Sequence, residues 1–98
     1  MFSSDESLHK ILVVDDDISQ ITFLHDALKD IGQVLFAQEG LSALEIARNT
    51  QPDVILLDIE MPGLDGLQVL GKLKEHDSTR DIPVIFITSH NSVEEQLV

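Results

Sequence analysis

Pro52-Asp53-Val54-Ile55-Leu56-Leu57-Asp58-Ile59-Glu60-Met61-Pro62-Gly63-Leu64-Asp65-Gly66 is the stretch on which the reading of the fold depends. Val54 to Leu57 is an unbroken aliphatic run that stops at an acid, Asp58. A strand with one wet face alternates apolar and polar residues, whereas a run without alternation suits a strand covered on both faces. Pro52-Asp53 punctuates before the run, and Pro62-Gly63 signals a turn after it. The stretch predicts a buried strand that delivers Asp58 to a loop, followed by a helix starting near Asp65.

The same grammar extends in both directions. Ile11 to Val14 is a second aliphatic run, and it ends at Asp15-Asp16. Ile18, Ile21, Leu24, Leu28 and Ile31 follow at helical spacing, with Ala27 on the same face and Gly32 as the residue closing the helix. Val34 to Ala37 predicts a short strand, and Leu41, Leu44 and Ala47 a helix ending near Asn49. The helix from Asp65 is expected to bury Leu67, Leu70 and Leu73, with Lys72 and Lys74 near its C-terminus, where the helix dipole favours cations. His76 to Asp81 reads as a polar loop, and Val84 to Ile87 as a fourth strand ending at Thr88. Ser92 and Glu95 fit the capping box of a further helix. Met1 to His9 reads as a flexible tail, with residues 10–98 as the domain. Strands alternating with helices imply an α/β fold, a mainly parallel sheet with helices on both faces.

Composition narrows the function. The 98 residues suffice for one small domain, and 43% hydrophobic content is enough for one core. Lys and Arg number 6 against 18 Asp and Glu, for a formal charge of -12. A field of that sign repels nucleic acid and anionic membrane. The absence of Cys excludes a disulfide framework and a thiolate metal site. The N-terminus has no apolar stretch resembling a signal peptide, and no apolar run is long enough to span a bilayer. The expected location is the cytoplasm. His9, His25, His76 and His90 are scattered without ligand spacing, and His25 is expected on a solvent-facing helix surface.

Doubly wound sheets place their sites at the carboxyl ends of the strands. Here Asp15-Asp16, Asp58 and Thr88 each end a predicted strand. An acid at one strand end is usually a turn residue or a helix cap, and Asp17 is a candidate for that role. Two acid clusters and a hydroxyl, each ending its own buried strand, are harder to explain as turns. If those strands are neighbours, the carboxylates repel one another and raise at least one pKa. A hard divalent cation with oxygen ligands, Mg²⁺ above all, removes that cost.

Three segments make the pattern specific. Lys10-Ile11-Leu12-Val13-Val14-Asp15-Asp16 resembles the first strand and acid pair of response-regulator receiver domains. Pro52 to Gly66 resembles their phosphorylation strand and loop, and Ile82-Pro83-Val84-Ile85-Phe86-Ile87-Thr88-Ser89 their fourth strand. The resemblance runs from Lys10 to Val98 and implies a flavodoxin-like sheet of order 2-1-3-4. It implies that Asp58 accepts a phosphoryl group from the phosphohistidine of a sensor histidine kinase or phosphotransfer protein. It implies that Asp16 and Asp58 bind Mg²⁺ (Mn²⁺ as the alternative ion) directly, Asp15 through water, and Glu60 through its backbone carbonyl. Thr88 would hydrogen-bond the phosphoryl group. Ser89 is small enough to admit it, and Glu60 and His90 match positions that tune its hydrolysis. Gly66 sits where a side chain could obstruct the loop, or is an ordinary helix-start glycine.

The family pattern continues with a fifth strand ending in a Lys, and a fifth helix, before an output domain or effector. No Lys or Arg follows Arg80 in this sequence. The expectation is a receiver truncated at its C-terminus, prone to dimerise through an exposed fourth strand or to exchange elements. Two other readings compete with this one. Asp15 and Asp17 resemble the first motif of haloacid-dehalogenase-type phosphatases, but that reading leaves the Asp58 segment unexplained. A pseudo-receiver that never accepts phosphate conflicts with intact Asp15, Asp16, Asp58 and Thr88 in the parent protein, whereas the missing Lys favours it for this segment.

Overall fold

The computed structural model describes residues 9–87. Their element order is β1 (His9–Val14), α1 (Ile18–Leu28), β2 (Gly32–Ala37), α2 (Gly40–Thr50), β3 (Val54–Asp58), α3 (Gly66–Lys74) and β4 (Val84–Ile87). The strands form one sheet of order β2-β1-β3-β4, with every neighbouring pair parallel. That is the α/β architecture expected from the alternating runs, with the strand order that the family resemblance implies. Residues 1–8 of the expected tail, and the Ser92–Glu95 cap, lie outside the described residues.

The register explains why the runs do not alternate. Leu12 pairs with Leu35 and Ile55, and Leu57 with Val14 and Phe86, so these side chains share one face. On that face Leu12, Val14, Ile55 and Leu57 pack with Ala43, Leu44 and Ala47 of α2 and with Val69 and Leu73 of α3. The other face carries Ile11 and Val13, which pack against Ile21 of α1 with Leu24 and Leu28 beside it. Central β1 is thus apolar at every position from Ile11 to Val14 because both its faces are covered.

Local signals set the helix starts. Asp17 caps α1 through a hydrogen bond from the Ser19 N–H. Asp65 and Gln68 form a reciprocal capping box at the start of α3. Gln51 ends α2 in the left-handed conformation, with its N–H on the Ala47 carbonyl.

Several sequence expectations change. Gly32 does not close α1. The helix ends at Leu28, followed by Lys29 in a right-handed conformation and a turn from the Ile31 N–H to the Leu28 carbonyl. Gly32 is already the first residue of β2, paired with His9. Ala27, Ile18 and Ile31 are exposed, because α1 turns only the Ile21, Leu24 and Leu28 arc to the sheet. Leu41 is exposed at the start of α2, where the buried arc is Gly40, Ala43, Leu44 and Ala47. Leu67 is 62% exposed. The buried arc of α3 is Gly66, Val69 and Leu73, since Gly66 faces the end of β3 and rotates Leu67 outward. Within the expected polar loop, Thr79 is buried and its hydroxyl donates to the Leu73 carbonyl at 2.7 Å, closing the end of α3.

Candidate functional site

β1 and β3 are adjacent and in register to Val14–Leu57, so the next residue of each chain, Asp15 and Asp58, emerges at the same sheet end. The Asp15 N–H extends the ladder by donating to the Ala37 carbonyl at 3.0 Å, which holds this acid in the plane of the sheet. Both Asp15 and Asp58 are fully buried, while Asp16 is exposed. Ligand oxygens of Asp15, Asp16 and Asp58 all lie within 4.8 Å of one another. The convergence that the sequence made conditional on strand order is therefore present.

Short-range hydrogen bonds orient the two buried acids. Asp15 Oδ1 accepts the Asp17 N–H at 2.9 Å, and Asp58 Oδ1 accepts the Glu60 N–H at 3.2 Å. Asp15 Oδ2 is buried with no hydrogen-bond partner among the described residues. Such an atom is costly unless something else satisfies it. The Asp15 carboxyl is pushed up to about 6. Burial is the main cause, opposed by the Asp17 N–H and reinforced by the charges of Asp58, Asp16 and Asp17.

An all-oxygen donor set, one orphaned buried carboxylate oxygen and mutual repulsion fit a hard divalent cation such as Mg²⁺. They do not fit a soft or imidazole-seeking metal. Among the described residues this carboxylate trio is the one group of metal-ligating side chains, and His9, His25 and His76 take no part in it.

The β3–α3 loop completes the site. Glu60 is exposed just beyond Asp58, and Met61 is buried. Gly63 takes a positive φ of 78° at the turn. The Gly66 N–H donates to the Ile59 carbonyl at 2.8 Å. A Cβ on Gly66 would collide with the Asp58 carbonyl oxygen and come within 2.8 Å of Ile59 Cα. Of the two readings left open for Gly66, the close approach is the one found: α3 starts directly against the backbone of Asp58. Thr88, Ser89 and His90 lie outside the described residues. Sequence reasoning missed Gly40, whose closeness to this loop depends on how α2 packs beside α3.

Comparison with known proteins agrees with this fold. The chain is 44% identical over 81 residues to the response regulator PleD of Caulobacter vibrioides, covering 82% of this chain and 18% of PleD. It is 42% identical to protein PilH of Pseudomonas aeruginosa, over 82% of this chain and 67% of that protein. It is 36% identical to a probable cyclic di-GMP phosphodiesterase of Vibrio cholerae, over 98% of this chain and 22% of that protein. The chain thus spans about a fifth of the length of PleD and of the phosphodiesterase. Among solved structures, the N-terminal domain of a response regulator receiver protein from Methanoculleus marisnigri superimposes with a TM-score of 0.78 at 34% identity, covering 92% of this chain and 78% of that one. Chemotaxis response regulator CheY4 of Vibrio cholerae superimposes with a TM-score of 0.79 at 28% identity, covering 92% and 76%. The sheet order, the acidic cluster at its carboxyl end and a family match over residues 11–97 lead to one conclusion: this chain belongs to the response regulator receiver domain family.

Proposed function

We propose that this domain is a phosphoacceptor switch in which Asp58 takes a phosphoryl group from a phosphohistidine on a sensor kinase or phosphotransfer protein. The observation that carries the reading is the buried Asp15–Asp58 pair with Asp16 at its rim and Asp15 Oδ2 unsatisfied. A carboxylate oxygen of Asp58 attacks phosphorus, an O–P bond forms, the P–N bond to the donor imidazole breaks, and the imidazole leaves with the electron pair. Such a transfer needs positioning and charge neutralisation more than covalent help. Asp15, Asp16, Asp58 and the backbone carbonyl of Glu60 would hold Mg²⁺, which supplies charge neutralisation when bound. The Glu60 N–H fixes the rotamer of Asp58, and the close approach of Gly66 fixes its backbone.

The family roles of Thr88, Ser89 and His90 in holding and hydrolysing the phosphoryl group belong to the same proposal, as does hydrolysis tuning by Glu60. The domain would act on an output domain or effector, in the cytoplasm, as a signalling module rather than a turnover enzyme. Among the described residues no helix is long and apolar enough to cross a membrane.

The test is labelling by a small phosphodonor with Mg²⁺, followed by borohydride trapping and mass spectrometry. Label is expected on Asp58 alone. Label persisting at the wild-type level in Asp58→Asn would refute the assignment, and label on Asp15 would favour the phosphatase-like alternative.

A further inference from the structure

We propose that Gly40, at the start of α2, is a positioning residue for the acidic site, holding the β3–α3 loop in the geometry that metal binding and phosphoryl transfer require. The inference rests on the phosphoacceptor reading above and concerns a residue outside the cluster itself.

Gly40 has no positive φ; among the described glycines only Gly63 does. Its backbone conformation is therefore open to any residue, and glycine at a helix start weakens the helix relative to alanine. Nor is Gly40 placed beside a strong cap, since Glu39 makes no side-chain capping bond. Space explains the choice. A Cβ on Gly40 would stand 2.7 Å from Leu64 Cβ and 2.8 Å from Val69 Cγ2. Comfortable carbon–carbon contact is about 3.5–4.0 Å, so a methyl there forces a displacement on the order of 0.8 Å or more.

The displaced side is the segment that follows Asp58. α2 is anchored in the core through Ala43, Leu44 and Ala47. Val69 is held in the same core, whereas Leu64 is half-buried in the loop that precedes α3, so Leu64 is the partner freer to move. The start of α2 and the loop share an open recess of about 360 Å³ lined by Gln38 to Leu41 and by Pro62 to Leu64, and Pro62 and Gly63 are exposed. Pushing Leu64 outward strains the two residues up to Gly66, whose N–H and Cα are locked against Ile59 and Asp58. The strain therefore reaches Glu60 and Asp58. Mg²⁺ tolerates little departure from octahedral geometry, and phosphoryl transfer depends on alignment to a fraction of an ångström.

The experiment compares wild type, Gly40→Ala, Leu64→Ala and a control, Ile21→Val, in the full chain. Ile21 packs on the opposite face of the sheet, so its variant reports loss of stability without contact to the loop. Mg²⁺ affinity is read by titration, phosphorylation by a small phosphodonor, and stability by metal-free melts. Gly40→Ala is expected to weaken Mg²⁺ binding by about fivefold or more, because the ion demands near-ideal geometry, and to slow phosphorylation by a similar factor. Ile21→Val is expected to lower the melt while leaving Mg²⁺ affinity within twofold of wild type. Leu64→Ala, which removes the contact without adding bulk, is expected to weaken Mg²⁺ binding as well, and it decides the matter if Gly40→Ala does not fold. A Gly40→Ala or Leu64→Ala protein that melts lower yet binds Mg²⁺ as wild type does would overturn the inference and leave the phosphoacceptor reading intact. A wild type that neither binds Mg²⁺ nor accepts phosphoryl would overturn both.

Discussion

Asp15 accepts the backbone N–H of Asp17 on one carboxylate oxygen at 2.9 Å and leaves the other buried without a partner. The bonded oxygen fixes the direction of the side chain, and the orphan oxygen is costly unless something else satisfies it.

The first prediction concerns pH. Burial and neighbouring charges raise Asp15 from its ordinary value to about 6 in the folded state. Between roughly pH 4 and pH 6 the folded protein then holds more protons than the unfolded chain, so metal-free stability falls as pH rises across that window. Its contribution to stability is lost above the folded pKa, the reverse of a salt-bridged aspartate. Asp15→Asn is expected to flatten this slope and to stabilise the metal-free protein above pH 6. Urea melts at pH 4.5 and pH 7 in chelator check it; the same slope in variant and wild type would contradict the assignment.

The second concerns metal. A divalent ion that binds the folded state alone should stabilise it by about 2.7 kcal/mol at a hundredfold excess over Kd. Asp16→Asn is expected to abolish most of that response while leaving the metal-free protein at least as stable, because it removes one of the repelling charges. Thermal melts with and without Mg²⁺ decide this, and a wild-type melt indifferent to Mg²⁺ would refute the site.

The third concerns the end of α3. The hydroxyl of buried Thr79 satisfies the Leu73 carbonyl at 2.7 Å. Thr79→Val keeps the shape and leaves that carbonyl unpaired, at a cost of about 1–3 kcal/mol. Mg²⁺ affinity should be unchanged, since the contact lies at the opposite end of α3 from Gly66. A neutral substitution would show that the carbonyl finds another donor.

The fourth concerns β4. Among the described residues β4 pairs with β3 alone, and Ile85 and Phe86 are 53% and 36% exposed on opposite faces. A strand edge left without a partner recruits other strands, and a charge on the edge discourages it. The chain from Met1 to Val98 is expected to self-associate at high micromolar concentration, and Ile85→Lys to reduce that association. Sedimentation velocity checks both. A monomeric wild type with protected amides across Val84 to Ile87 would show the edge to be covered.

The sequence by itself determined the element order and which acids end the strands. Unbroken runs such as Ile11–Val14 and Val54–Leu57 suit strands covered on both faces, and each stops at an acid, Asp15 or Asp58. Caps at Asp17 and Asp65 are local hydrogen bonds within four residues, so they too were legible. Tertiary structure alone decided the rest. Whether Asp15 meets Asp58 depends on β1 lying beside β3, a contact across 43 residues that no local pattern encodes. Which flank of α1 or α3 is buried depends on the neighbour it meets, and for that reason Leu67 and Ala27 were misplaced. Gly32 reads as a helix stop by type, yet the chain uses it to enter β2. The weight carried by Gly40 appears only when α2 is set against Leu64, because a missing methyl leaves no trace in the sequence of what would have filled its place.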